Sequence, residues 1–96
     1  MKRALVTGAG HRLGRAMALY LAGRGFDVAV HYASSETGAE ETCAGIRAAG
    51  RRAVAIKADL LDDAETENLI AQASSQLGGD DSSLILNATN LENDTH

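Results

Sequence analysis

Ala4-Leu-Val-Thr-Gly-Ala-Gly-His-Arg-Leu-Gly-Arg-Ala-Met-Ala-Leu19 decides how this chain is read. Ala4-Leu5-Val6 is a short apolar run of the kind that forms a buried strand. Glycines follow at Gly8, Gly10 and Gly14. Apolar residues then recur at Leu13, Ala16, Met17, Tyr20 and Leu21, the spacing of one helix face. A glycine-rich turn between a strand and a helix directs backbone N–H groups and the positive end of the helix dipole at one spot. An anion belongs there, and a dinucleotide pyrophosphate is the anion that this order of elements suits. Gly8 can take the turn out of the strand, Gly10 keeps the loop wall low, and Gly14 lets the helix approach the sheet. The spacing is one residue longer than the common Gly-x-Gly-x-x-Gly pattern. The competing reading is an ordinary strand-to-helix turn with spare glycines.

Ninety-six residues fit one domain, and 45% hydrophobic content is ordinary for a globular chain. No apolar run approaches the length of a membrane span, and the short run after Met1-Lys-Arg is too broken by glycine for a signal peptide. A single cysteine, Cys43, cannot form an internal disulfide and suits a reducing cytoplasm. The net charge of −4 is unevenly spread. Lys2, Arg3, Arg12, Arg15 and Arg24 face only Asp27 in residues 1–35, whereas acids dominate the remainder. The basic part coincides with the glycine-rich turn, in keeping with an anionic ligand. The acidic remainder argues against a nucleic-acid partner.

Farther along, Gly23-Arg-Gly25 stops the first helix, and Phe26 to Tyr32 reads as a second strand. Thr37 with Glu40 has the pattern of a capping box. The helix it opens carries Ala39, Cys43 and Ile46 on one face and ends at Gly50. Ala53 to Lys57 reads as a third strand. Asp62 with Glu65 repeats the capping pattern, ahead of a helix with Leu69, Ile70, Ala73 and Leu77 on one face, ending at Gly78-Gly79. Ser83 to Asn87 reads as a fourth strand, and residues 88–96 lack periodicity. The order β-α-β-α-β-α-β with apolar strands predicts a parallel sheet with right-handed crossovers. The fold class is therefore α/β, the first β-α-β-α-β-α-β portion of a doubly wound Rossmann-type sheet.

These residues resemble the short-chain dehydrogenase/reductases. Thr7-Gly8-Ala-Gly-His-Arg-Leu-Gly14 is similar to that family's Thr-Gly-x3-Gly-x-Gly turn. Asp59-Leu60 falls where the family has an Asp that contacts adenine. Asn87-Ala88 matches the end of its Asn-Asn-Ala-Gly motif. Arg12 replaces the middle glycine, and Leu86 and Thr89 depart from the last motif. Arg12, Leu13 and the strand end His31-Tyr32-Ala-Ser-Ser35 look like the pteridine-reductase branch. The resemblance implies cofactor contacts at Thr7, Gly8, Gly10, His11, Arg12, Leu13, Gly14, His31, Tyr32, Ser34, Ser35, Asp59, Leu60, Asn87 and Ala88. It also places the family's catalytic Ser and Tyr-x3-Lys beyond residue 96. Tyr20 and Tyr32 are not followed by lysine four residues later. Residues 1–96 are thus expected to be a dinucleotide-binding domain that stops before the catalytic half, inactive alone. In the complete enzyme, hydride would pass from NADPH to a carbonyl or a pterin C=N bond. A stand-alone nucleotide-binding or regulatory module is the alternative.

An NAD site wants a carboxylate at the end of the second strand, for the ribose 2′-OH. His31, Tyr32 and Ala33 stand there, Asp27 is at the other end, and Glu36 follows a loop expected to turn away. His31, Ser34 and Ser35 could donate to a 2′-phosphate, and Arg12 adds positive field, so NADP(H) is the expected cofactor. Asp59 could instead cap its own loop, and Arg12 could be a surface residue. The three histidines lack the spacing of metal ligands, and Cys43 reads as a core residue. The expected strand order is 3-2-1-4, with two helices on one face and one on the other. The fourth strand would then be a bare edge, with apolar parts of the first and fourth strands open to water. Self-association is the expected consequence.

Overall fold

A computed structural model describes residues 3–8, 12–77 and 84–87, the last of these through backbone pairing. The elements run β1 (Arg3–Thr7), α1 (Arg12–Gly23), β2 (Asp27–Tyr32), α2 (Glu36–Ala48), β3 (Ala53–Lys57), α3 (Asp63–Leu77) and β4 (Leu84–Asn87). All pairings are parallel, and the strand order is β3-β2-β1-β4. Parallel neighbours need crossovers, and the helices between strands supply them. The expected fold and strand order are found. Among the described residues no helix is long and apolar enough to cross a membrane.

Alternation along each strand divides the core in two. Ala4, Val6, Val28, Val30 and Ala53 pack with Ala18, Leu21 and Ala22 of α1 and with Ala39, Cys43 and Ile46 of α2. Leu5, Ala29 and Ile56 face Leu69, Ala73 and Leu77 of α3. Burying a side chain such as Ile46 contributes ~1.5–3 kcal/mol against conformational entropy. The expectation that β1 leaves apolar side chains in water is corrected. Leu5 is covered by α3, and every residue of β1 is buried. Arg3 extends this contact, its Nη1 donating to the Ser74 carbonyl at 3.3 Å.

Helix phases differ from the sequence reading in two places. In α1 the buried residues are Gly14, Ala18, Leu21 and Ala22, while Tyr20 is 65% exposed and lies beneath the Arg24 guanidinium. That helix is apolar almost all round, so periodicity alone leaves its rotation open. Three of the four buried residues, Gly14, Ala18 and Ala22, are small and permit close approach to the sheet. In α3 the buried row is Leu69, Ala73 and Leu77, one turn apart each, and Ile70 falls outside it. The buried face expected for α2 is found.

The helix ends follow from local bonding. Gly25 and Gly50 take positive φ after α1 and α2. Gly50 N–H donates to Arg47 and Arg51 N–H to Ile46, the paired bonds of a Schellman stop; Gly25 and Phe26 repeat them on Ala22 and Leu21. The Thr37–Glu40 capping box is not formed. The Ser35 carbonyl already accepts the Ala39 N–H, so α2 starts at Glu36 with Ser35 as its N-cap and Thr37 inside the first turn. Asp62 does cap α3, Oδ1 accepting from Ala64 at 2.9 Å and Glu65 at 3.3 Å. The Asp62 N–H is already taken by the Asp59 carbonyl, so the Glu65 carboxylate reaches past it to the Asp59 N–H.

Candidate functional site

Parallel pairing brings the carboxyl ends of the strands to one edge. Thr7 is the register partner of Asn87, Val6 of Val30, and Tyr32 of Lys57. The turn after Thr7, the end of β2 at His31-Tyr32, the Ala58-Asp59 loop and the backbone of Asn87 therefore share that edge. Strands are added outward from β1 in opposite directions, β2 and β3 on one side and β4 on the other, and open α/β sheets place ligands at such a point.

At the centre of the edge, Gly8 is buried and has φ 68, a left-handed conformation that a Cβ disfavours. Arg12 opens α1 with its side chain exposed, Leu13 packs partly against the core, and Gly14 is buried. A helix thus begins just beyond a glycine turn, with Gly14 set close into the fold, and these features fit a phosphate cradle. Gly10, His11 and Ala88 lie outside the described residues.

His31 occupies a different place from the one expected of it. Its ring is 1% exposed. The Gly8 N–H donates to Nδ1 at 2.9 Å, and Nε2 lies 2.9 Å from the Ala58 carbonyl. A carbonyl only accepts, so Nε2 carries the proton and Nδ1 is bare. Burial pushes the imidazole below its ordinary range, against the opposing pull of the Ala58 bond. A neutral ring with both nitrogens used has nothing to donate to a 2′-phosphate. The Gly8 N–H is likewise committed to the ring.

Tyr32 is half-buried, and its phenol is raised by desolvation and then by Glu36 and Glu40. Glu36 opens α2 as an exposed residue. Ser34 is exposed, and the Ser35 hydroxyl makes no capping bond to α2. Asp59 is exposed and caps its own loop, Oδ1 accepting the Leu61 N–H at 2.9 Å. Leu60 packs partly on the α3 side of the core. Two contributors were missed by sequence reasoning. The Ala58 carbonyl leaves no trace in a side-chain pattern. Glu65 gave a capping signal, but for a different partner. Among the described residues no three His, Cys, Asp or Glu side chains gather to hold a metal.

The family model for short chain dehydrogenases matches residues 2–95. L-rhamnose 1-dehydrogenase (NAD(P)(+)) of Sphingomonas sp. is 42% identical over 77 residues, 80% of this chain and 30% of that protein. The 3-oxoacyl-[acyl-carrier-protein] reductase FabG of Staphylococcus aureus is 44% identical over the same length, 80% of this chain and 31% of the reductase. A short chain dehydrogenase from Burkholderia cenocepacia, solved in complex with NADP, superposes with a TM-score of 0.78 at 45% identity, covering 81% of this chain and 32% of its own. The chain thus spans about a third of the length of such relatives. It belongs to the short-chain dehydrogenase family.

Proposed function

We propose that this chain binds NADP(H) along the carboxyl edge of its sheet, as the cofactor-holding part of a reductase. The observation that carries the reading is the gathering of the Gly8 turn, the start of α1, Asp59 and Asn87 at one edge, beside the crossover point between β1 and β4. The pyrophosphate belongs at the start of α1 with Arg12, the adenine beside Asp59, and the 2′-phosphate near Ser34 and Ser35. Bound NADPH supplies the hydride; this chain's residues bind and orient it. Their energetic task is to offset the cofactor's charge and lost hydration.

Four observations bear on the choice of cofactor. No carboxylate stands among residues 31–35, which favours the phosphorylated dinucleotide. Glu36 and Glu40 act on Tyr32 nearby, which weighs towards NAD. Arg12 and the Burkholderia neighbour solved with NADP favour the first choice. A carbonyl is the favoured hydride acceptor, since a 3-oxoacyl reductase and a rhamnose dehydrogenase stand among the relatives. Arg12 is the feature that keeps a pterin C=N bond in view. β4 is an outer strand, opposite β3, and self-association through it is part of the proposal. Fluorescence titration with NADPH and NADH tests the cofactor: tighter NADPH binding is expected, and equal affinities or an NADH preference would reject it. Sedimentation tests the edge: concentration-dependent association is expected, and a monomer throughout the micromolar range would reject it.

A further inference from the structure

We propose that His31 is a positioning residue that sets the distance between the two ends of the cofactor site. The inference rests on the dinucleotide reading above. β2 lies between β1 and β3, so its last residues sit between the loops that follow those strands. The His31 ring fills that position. One nitrogen holds the first residue of the glycine turn, and the other holds the residue before Asp59. These loops are the ones assigned to the pyrophosphate and to the adenine.

The ring is buried, both bonds go to backbone, and their partners lie 23 and 27 residues away in sequence. A side chain of this kind cannot drift without releasing one loop or leaving a buried polar group unpaired. Gly8 is the more sensitive end. Its positive φ is uncommon, and the N–H bond to Nδ1 helps fix the direction in which the turn leaves β1. His31 touches no cofactor atom in this assignment and acts through Gly8 and Ala58.

The two bonds can be separated by substitution. In His31→Asn the amide oxygen stands near the place of Nδ1 and keeps an acceptor for Gly8. In His31→Gln the longer amide reaches the place of Nε2 and keeps a donor for Ala58. The test is NADPH affinity and thermal stability of the full chain with each variant, together with ring-nitrogen and Gly8 amide resonances of the wild type. Asparagine should hold the affinity within a few-fold, while glutamine should weaken it by about tenfold at similar stability. The wild-type ring should show the Nε2–H tautomer. Glutamine binding as tightly as wild type, losses in both variants that merely follow stability, or an Nδ1–H tautomer would overturn the positioning role. Failure of the wild type to bind NADPH would overturn the dinucleotide reading itself, and the inference with it.

Discussion

The Gly8 N–H donates to His31 Nδ1 at 2.9 Å, joining the ends of two adjacent strands through a buried ring. The bond exists only while the ring is neutral, because a protonated Nδ1 would face a donor with a donor. Burial lowers the folded-state pKa of His31. Below the ordinary imidazole value of 6.5, the unfolded chain therefore takes up a proton that the folded chain resists. The stabilisation is fully present above that pH and is lost as pH falls towards the folded-state value. Asp59, next to Ala58, turns its carboxylate to the Leu61 N–H. Urea unfolding between about pH 8 and about pH 5.5 should show a steeper loss for the wild type than for His31→Asn. Parallel curves would contradict this.

Gly45 and Gly50 should respond oppositely to alanine. A Cβ on Gly45 meets Leu19 Cδ2 at 2.7 Å, but Leu19 is 37% exposed and its methyl end can move aside. The helical preference of alanine is worth ~1 kcal/mol and should leave Gly45→Ala neutral or slightly stabilising. Gly50 has open space but a φ of +86, so Gly50→Ala should cost ~1–2 kcal/mol. Chemical denaturation measures both, and a reversed order would contradict the backbone geometry.

Cys43 should be inert in the folded chain. Its thiol is fully buried, and burial raises its pKa, with Glu40 adding to the effect and Arg47 opposing it. Alkylation near pH 8 should be slow and accelerate with denaturant, because only opening exposes the thiolate. Labelling at the rate of a free thiol in native buffer would show that α2 detaches readily.

Arg12→Gln should weaken NADPH binding and reduce its salt dependence. The side chain is exposed at the start of α1, where a cation is unfavourable to the helix dipole unless an anion lies nearby. A charge-assisted contact in such a place contributes ~1–2 kcal/mol at low salt. Titrations at two ionic strengths measure it, and an unchanged affinity would make Arg12 a surface residue only.

The alternation of short apolar runs with helical spacings made the parallel sheet readable from sequence, because β1, β2 and β3 are apolar on both faces, whereas the strand order followed from the Rossmann-type fold assigned to that alternation. The rotation of α1 was not readable, since alanine and leucine surround it and only packing against the sheet selects Gly14, Ala18 and Ala22. The glycine turn announced a site, and Gly8 has the conformation its position required. The role of His31 was hidden for another reason. A histidine at a strand end reads as a donor to solvent or ligand. Only the third dimension reveals that backbone groups just past two other strands claim both nitrogens.

The most direct measurement is a heteronuclear NMR titration of the chain with NADPH, following backbone amides. Shifts should concentrate at the carboxyl edge: Gly8, the first turn of α1, Ser34, Asp59 and Asn87. The opposite edge, with Asp27 and Arg52, should stay unperturbed. Saturable shifts confined to the carboxyl edge are the predicted result. Uniform small shifts, or none, at NADPH concentrations well above the protein's would contradict a cofactor site on this sheet.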